Sequence, residues 1–157
     1  MRRPWNLNDT CVYSLATYHN EQVNMNICTY VTSISMKPKL YAIAIYNNTK
    51  SLFNMQNNQY CVLQYLHKSQ YSLVSNLGKK SGIDFNKHTF LHKRNLIEKW
   101  NGYEVLKNTG ALVLLKKVNE QQTGDHVLFT FEMIKYASFT DELLTHQVLI
   151  DKKIIRA

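Results

Sequence analysis

A hydroxyl-rich stretch between Asn24 and Pro38 is the part of the sequence best suited to bind a polar ligand. Thr29, Thr32 and Ser33 stand where a buried strand would usually carry Val or Ile. Hydroxyl groups beside a core must find hydrogen-bond partners, because burying them unpaired costs free energy. A polar, planar ligand would supply such partners. We therefore expect this stretch to form one wall of a ligand site.

A second group of residues has the chemistry of an anion site. The run from Asn48 to Ser51 places hydroxyls and a cation at the expected start of a helix, where unpaired backbone N–H groups attract negative charge. Thr49 is also suited to act as the helix N-cap, and the two roles are compatible. Further along, Ser81, Gly82 and Lys87 combine a hydroxyl, a flexible glycine and a cation, which indicates a second phosphate contact only weakly.

The net charge of +8 favours an anionic partner. Six basic residues lie between Lys79 and Lys99, against only Asp84 and Glu98. This run fits either a solvated surface or a landing zone for the phosphates of a nucleotide. Ten tyrosines keep a nucleic-acid-binding barrel as a remote alternative. Because most of them fall within apolar alternation, which is typical of core packing, nucleic acid is not the expected partner.

Common catalytic signatures are missing from the sequence. It contains no dinucleotide-binding glycine motif, P-loop, zinc-protease motif or nucleophile elbow. His88 and His92 have the i, i+4 spacing that places two metal ligands on one helix face, but no nearby Cys or carboxylate completes a set, so we expect no metal site. The three cysteines lie in apolar contexts typical of buried, unreactive thiols.

Apolar alternation predicts a chain made mainly of strands. Strands are expected at 12–18, 24–38, 40–46, 60–66, 112–118 and 126–136, short helices after Thr49 and at 70–77, a basic loop at 79–92 and a terminal hairpin at 147–156. No linker or repeat divides the chain, so we expect one domain over residues 1–157. No apolar run reaches membrane-spanning length and no secretory signal is evident, which predicts a cytoplasmic protein without membrane contact.

Several motifs occur in a characteristic order along nearly the whole chain. They are Asn24-x-Asn26-Ile-x-Thr29, Ser35-x-x-Pro38, Ala42 to Tyr46, Thr49, Ser81-Gly82 with Asp84 and Lys87, and Gly124-Asp-His126. In this order they resemble the flavin reductase-like, FMN-binding split-barrel proteins. The resemblance implies a mainly β fold, an antiparallel Greek-key split barrel with a few short helices. It also implies a homodimer that holds FMN, rather than FAD, near the dimer interface.

The same resemblance implies which residues contact the cofactor. On the ring side they are Asn26, Thr29, Tyr30, Val31, Thr32 and Ser33, together with Tyr46. On the ribityl and phosphate side they are Thr49, Lys50, Ser51, Ser81, Gly82 and Lys87. His126 would lie near the approach of a nicotinamide or substrate. Alternatively, His126 has only a structural role: it begins a strand and fixes the turn before it.

The resemblance points to an NAD(P)H-dependent flavin reductase that passes electrons to a small-molecule or protein acceptor. A sequence without an evident acid, base or nucleophile pair fits this activity, because the cofactor carries the chemistry and the protein supplies binding and orientation. A flavin-binding electron carrier or sensor with little nicotinamide-dependent turnover is the alternative.

Overall fold

The computed structural model describes residues 3–156. Its strands are β1 (Tyr13–His19), β2 (Gln22–Cys28), β3 (Val31–Met36), β4 (Lys39–Tyr46), β5 (Tyr60–Tyr65), β6 (Ile97–Trp100), β7 (Tyr103–Leu106), β8 (Ala111–Thr123) and β9 (His126–Ser138). Its α-helices are α1 (Lys50–Asn57), α2 (Leu73–Leu77), α3 (Lys87–Lys93) and α4 (His146–Asp151). Two 3-10 helices cover Pro4–Asn6 and Lys68–Ser72.

Seven strands form one antiparallel sheet in the order β2-β1-β5-β8-β9-β4-β3, and β6 and β7 form a separate hairpin. The end strands β2 and β3 are separated in sequence only by Thr29 and Tyr30. Such a link spans at most about 11 Å, whereas seven flat strands extend over about 29 Å. The sheet must therefore curl until its two ends approach. The result is the predicted mainly β, antiparallel split barrel, with its split between β2 and β3.

The strands bury side chains on both faces of the curled sheet. On β1, Leu15 belongs to one core cluster and Ala16 to the other, and β5 divides Leu63 and Val62 in the same way. The first cluster lies inside the barrel and includes Met55 of α1. The second cluster lies between the outer face and the helices α2, α3 and α4 with the β6–β7 hairpin. The helices and the hairpin thus cover the outer face of the sheet. Two of these helices, α2 and α3, also lie next to the split.

The stretch from Asn24 to Pro38 is not the single buried strand that the sequence predicted. It forms two strands, β2 and β3, at opposite ends of the sheet order. Within residues 3–156, strand β3 pairs only with β4, which leaves its other edge open, and Thr32 and Ser33 on it are exposed. The Ser33 hydroxyl accepts a hydrogen bond from Lys39 Nζ at 3.0 Å. The expectation of buried hydroxyls was wrong at these two residues because an edge strand can leave polar side chains in water.

Helix α1 begins as predicted, and its packed face contains polar as well as apolar side chains. Thr49 caps it, its hydroxyl oxygen accepting a hydrogen bond from the Leu52 backbone N–H at 3.2 Å. Phe53 is exposed. The buried side chains are those of Ser51, Asn54 and Met55. The packed face of α1 is therefore largely polar, which apolar periodicity cannot detect.

Three segments after residue 78 also differ from the sequence prediction. The basic loop contains α3, whose N-cap Asn86 accepts a hydrogen bond from the Thr89 N–H at 2.9 Å. The β6–β7 hairpin was not predicted, although its turn is Asn101-Gly102, with φ angles of 47° and 83°. Asn-Gly is a strong hairpin signal because both residues tolerate positive φ. The expected terminal hairpin is instead α4, which Thr145 caps.

Two of the cysteines are buried as the sequence predicted. Cys28 and Cys61 lie in the barrel core, and burial raises the pKa of the Cys28 thiol to about 12. A thiol with such a pKa carries almost no thiolate at neutral pH and is unreactive. No helix within residues 3–156 is long and apolar enough to cross a membrane.

Candidate functional site

A cavity of about 500 Å³ lies at the split of the barrel. This volume falls within the usual range for cofactor and ligand sites. Its walls come from the end of β2 and the β2–β3 link, from the end of β4 and the start of α1, from the loop after α2, and from the starts of α3 and β9. The lining residues are Asn24, Asn26 to Tyr30, Ala44 to Ser51, Leu77 to Gly82, Lys87 and His126.

The cavity brings together most of the residues that the sequence predicted as a site. It is lined by Asn26, Thr29, Tyr30, Tyr46, Thr49, Lys50, Ser51, Ser81, Gly82, Lys87 and His126. Val31, Thr32 and Ser33 are not among its lining residues. They lie on β3, beyond the link that crosses the split, so this chain does not bring them together with the other predicted site residues.

Asn24 holds the cavity wall together, and the sequence analysis did not include it among the site residues. It is 6% exposed, and its Nδ2 donates a hydrogen bond to Ser51 Oγ at 3.0 Å. Thr17 Oγ1 donates to the Asn24 carbonyl at 3.3 Å and accepts from Asn54 Nδ2 at 3.1 Å. This buried chain of hydrogen bonds fixes α1 to β1 and β2. Asn24 is the first residue of the motif Asn24-x-Asn26-Ile-x-Thr29, and this position could have indicated its role in the site.

The start of α1 presents backbone donors to the cavity rather than the Thr49 hydroxyl. That hydroxyl accepts from the Leu52 N–H and donates its single proton to the Tyr46 carbonyl at 2.8 Å, so it has no proton left to donate to an anion. The N–H groups of Lys50 and Ser51 have no acceptor within the helix, because the first turn lacks preceding helical carbonyls. Their partial positive charge favours an anion at this end of the cavity.

Gly82 lets the loop after α2 approach the wall formed by Asn24 and Lys50. A Cβ atom at this position would overlap Asn24 Oδ1 and lie 2.9 Å from Lys50 Cβ. Its role is therefore close approach of the backbone, which no other residue type permits here.

Replacing Gly82 by Ala is expected to weaken ligand binding in the cavity by about tenfold or more, because overpacking of a close contact typically costs about 1–3 kcal/mol. The loop is exposed and can move away, so the effect should appear in affinity more than in melting temperature. Titration of each purified variant with FMN, the ligand that the family resemblance implies, measures the affinity. Ile83→Ala, at an exposed neighbouring position, is the matched control. Equal affinity of the Gly82→Ala variant and the wild type would contradict a close loop contact.

Lys87 places a buried positive charge in the cavity wall. Its side chain is 4% exposed, and Nζ donates a hydrogen bond to the Leu77 carbonyl at 2.7 Å. Burial lowers the pKa of Lys87 from its usual value to about 8. The ammonium group is thus mostly protonated at neutral pH although it has lost much of its hydration. An anion beside it would compensate that loss.

The charged side chains that line the cavity are all lysines. Lys50, Lys79, Lys80 and Lys87 line it, and none of the described residues that line it is Asp or Glu. Each of these amines has a partner within the protein: Lys87 Nζ donates to the Leu77 carbonyl, and Lys50 Nζ lies 5.2 Å from the centre of the Phe53 ring. Lys79 Nζ donates to the Ile154 carbonyl at 3.1 Å, and Lys80 Nζ lies 4.5 Å from the centre of a phenylalanine ring. All four contribute positive potential to the cavity, and Lys87 is the most deeply buried of them.

Three aromatic rings lie together in the cavity wall. The His126 imidazole lies 5.2 Å from the Tyr30 ring and 5.2 Å from the Tyr46 ring, centre to centre. His126 Nδ1 is 2.6 Å from an Asp125 carboxylate oxygen. If Nδ1 donates to this carboxylate, Nε2 is left as an acceptor. This part of the wall therefore offers ring surfaces for stacking and one oriented imidazole.

Comparison with known proteins gives a consistent result. The model of the flavin reductase like domain matches residues 7–151. The search of curated proteins returned no match. Among solved structures, an FMN-binding protein from Thermus thermophilus superimposes with a TM-score of 0.78 at 18% identity, covering 90% of this chain and 78% of that one.

Two further solved structures carry reductase names. The flavin reductase PheA2 superimposes with a TM-score of 0.74 at 25% identity, covering 88% of this chain and 85% of its own. The NADH:FAD oxidoreductase SgcE6 of Streptomyces globisporus, in complex with NAD and FAD fragments, gives a TM-score of 0.69 at 15% identity over 84% of this chain and 76% of its own. Because the domain model spans most of the sequence and the folds agree, the chain belongs to the flavin reductase-like family.

Proposed function

We propose that this chain binds FMN in the cavity at the split and is an NADH- or NADPH-dependent flavin reductase. One observation carries the proposal: the wall of a single cavity contains a buried ammonium group and a cluster of three aromatic rings, and none of its described lining residues is a carboxylate. FMN has the matching chemistry, since a phosphate dianion and a planar ring stand at its two ends. FMN fits better than FAD because its chain ends at the phosphate that Lys87 would neutralise.

The residues of the cavity divide by role. Lys87, the Gly82 backbone and the first N–H groups of α1 would hold the phosphate. The flavin ring would lie between Tyr30, Tyr46 and the β2–β3 link at Thr29. When bound, flavin accepts a hydride from the nicotinamide and gives its electrons to an acceptor. The protein supplies stacking, orientation and positive potential, which favours the more anionic reduced flavin.

His126 would orient the nicotinamide donor. Its imidazole lies beside Tyr30 and Tyr46 at the cavity wall and is 21% exposed, so an incoming ring can contact it. Asp125 holds Nδ1, which fixes the ring orientation. We infer that Nε2 faces the donor as a hydrogen-bond partner for its carboxamide.

A homodimer is part of the proposal. Exposed apolar side chains include Tyr30 at the split, Met36 on the open edge of β3, and Tyr136 and Phe139 at and beyond the end of β9. Surface patches of this kind commonly mark interaction sites. In such a dimer Val31, Thr32 and Ser33 would border the cavity of the other subunit. Light scattering that gives the mass of one chain at micromolar concentration would overturn this part.

The absorbance spectrum of the purified protein tests the function. We expect yellow protein, or uptake of one FMN per chain on addition, followed by rapid bleaching with NADH or NADPH under anaerobic conditions. Failure to bind FMN would overturn the proposal. Binding with bleaching only by dithionite or a protein donor would replace the reductase by an electron carrier.

Two finer points follow from the same proposal. The electron acceptor would be a small molecule or a partner protein that reaches the aromatic rings of the cavity wall. The expected compartment is the cytoplasm, in keeping with the free thiols of the three cysteines. Fractionation of cells expressing the chain checks the compartment.

A further inference from the structure

Two imidazoles and a carboxylate converge outside the flavin cavity. His88 and His92 stand on successive turns of α3, and Glu104 comes from β7 of the hairpin. His92 Nε2 lies 3.1 Å from Glu104 Oε1, and His88 Nδ1 lies 3.6 Å from Glu104 Oε2. One ligand atom from each of the three residues falls within 4.8 Å of the others. None of the three lines the cavity at the split.

This cluster corrects the premise on which the sequence analysis expected no metal site. The i, i+4 histidines were recognised, but a completing carboxylate was sought only nearby in sequence. The β6–β7 hairpin supplies it from a strand that begins ten residues beyond α3. Residue spacing alone cannot reveal a ligand that a hairpin brings back to the helix.

One oxygen of the carboxylate in the cluster lacks a hydrogen-bond donor. Glu104 Oε2 is buried and has no hydrogen-bond partner among the described residues. His88 Nδ1 accepts a hydrogen bond from the Val23 backbone N–H at 3.2 Å, so this nitrogen carries no proton to donate to Glu104. A buried, unpaired carboxylate oxygen is costly. A cation between the three side chains would remove that cost.

We propose that His88, His92 and Glu104 bind a divalent transition-metal ion, with Zn²⁺ as the best match. Two imidazoles and a carboxylate, with water in the fourth position, are a common zinc ligand set. Zinc bonds of 2.0–2.2 Å in tetrahedral geometry place neighbouring ligand atoms about 3.4 Å apart. Each imidazole lies at a similar separation from one oxygen of the carboxylate, 3.1 Å from Oε1 and 3.6 Å from Oε2, and the three ligand atoms lie within 4.8 Å of one another. An unprotonated Nδ1 is also the state that coordination requires.

Two neighbours set the affinity. Coordination through His88 Nδ1 exchanges the Val23 hydrogen bond for a metal bond, which reduces the net gain. Lys99 Nζ lies 3.9 Å from Glu104 Oε1 but is 70% exposed, so it can move away at little cost. The bound ion would cross-link α3 to the hairpin. Its role is structural, because the site is separate from the cavity at the split.

Calorimetric titration of the tag-free, chelator-treated full chain with Zn²⁺ tests the proposal. We expect one ion per chain and a rise in melting temperature of about 5–10 °C at a free Zn²⁺ concentration 100-fold above Kd. His92→Asn and Glu104→Gln are each expected to lower the affinity at least about tenfold. The matched control is His67→Asn, since His67 Nε2 also lies 3.4 Å from a carboxylate, that of Glu142, but has no second imidazole.

A measurement on the wild type keeps the test decisive if a variant fails to fold. Titration with Co²⁺ should give the intense visible absorption of a four-coordinate ion, and Zn²⁺ should displace it. No saturable Zn²⁺ binding by the folded wild type would overturn the proposal. So would binding that His67→Asn abolishes and His92→Asn leaves unchanged.

Discussion

Replacing Lys87 by Met should weaken FMN binding by about 10–100-fold, because hydrogen bonds to charged groups contribute about 1.5–3 kcal/mol. Methionine keeps the length of the side chain and removes the ammonium group that the cavity wall presents. Only the phosphate end of the ligand should be affected. Riboflavin, which lacks the phosphate, is therefore expected to bind the variant and the wild type equally, and fluorescence quenching measures both affinities.

The matched control is Lys93→Met, which removes the same charge from the exposed end of the same helix. It should leave both affinities unchanged. Burial has lowered the pKa of Lys87, which means that its charge costs stability at neutral pH. Lys87→Met removes this cost but leaves the Leu77 carbonyl without its donor, so the two effects oppose each other and the melting temperature should change little. Equal losses for FMN and riboflavin would show that Lys87 supports the cavity rather than the phosphate.

The sequence predicts the barrel because strand signals are local. Alternation identified β1, β4 and β5, and Thr49 and Gly124 marked the ends of elements by their own conformational chemistry. What the sequence cannot show is which strand becomes an edge. Thr32 and Ser33 carry the same hydroxyls whether they are buried or exposed, and only the sheet order leaves them in water.

The parts of the site that are formed by short, continuous segments could be predicted from the sequence. The wall from Thr49 to Ser51 is one continuous segment, and a cap residue with basic and hydroxyl neighbours indicates its role. The burial of Lys87 was not predictable, because it depends on the packing of α3 against β2 and on the carbonyl of Leu77. Glu104 was missed for the same reason: its partners meet it only through tertiary structure.

The hydrogen-bond network around Asn24 also shapes the wall of the cavity. Asn24 contacts Ser51 through its amide, and its carbonyl oxygen atom Oδ1 leaves room only for a glycine at position 82. The start of α1 and the loop after α2 are thus positioned by the same side chain. This explains why a cavity at an open split can be well defined, although no strand pairing closes the barrel there.

Replacing His126 by Ala is expected to slow reduction of bound FMN by NADH or NADPH by about 10²-fold, since misplacement of a reacting group by about 1 Å costs that much. The change removes one of the three rings at the cavity wall and the oriented Nε2. FMN affinity should change far less, because the phosphate end is untouched. Stopped-flow bleaching across a range of nicotinamide concentrations separates a change in donor affinity from a change in the hydride-transfer rate.

The same experiment decides between the two roles of His126. If His126 orients the donor, Asp125→Asn should give an intermediate loss of rate, because the amide holds the imidazole less firmly than the carboxylate 2.6 Å from Nδ1. Dithionite should still reduce the flavin of both variants at the wild-type rate. If His126 only fixes the Gly124-Asp125 turn, His126→Ala will lower the melting temperature and leave the bleaching rate unchanged. The rate and the melting temperature thus respond in opposite ways to the two roles.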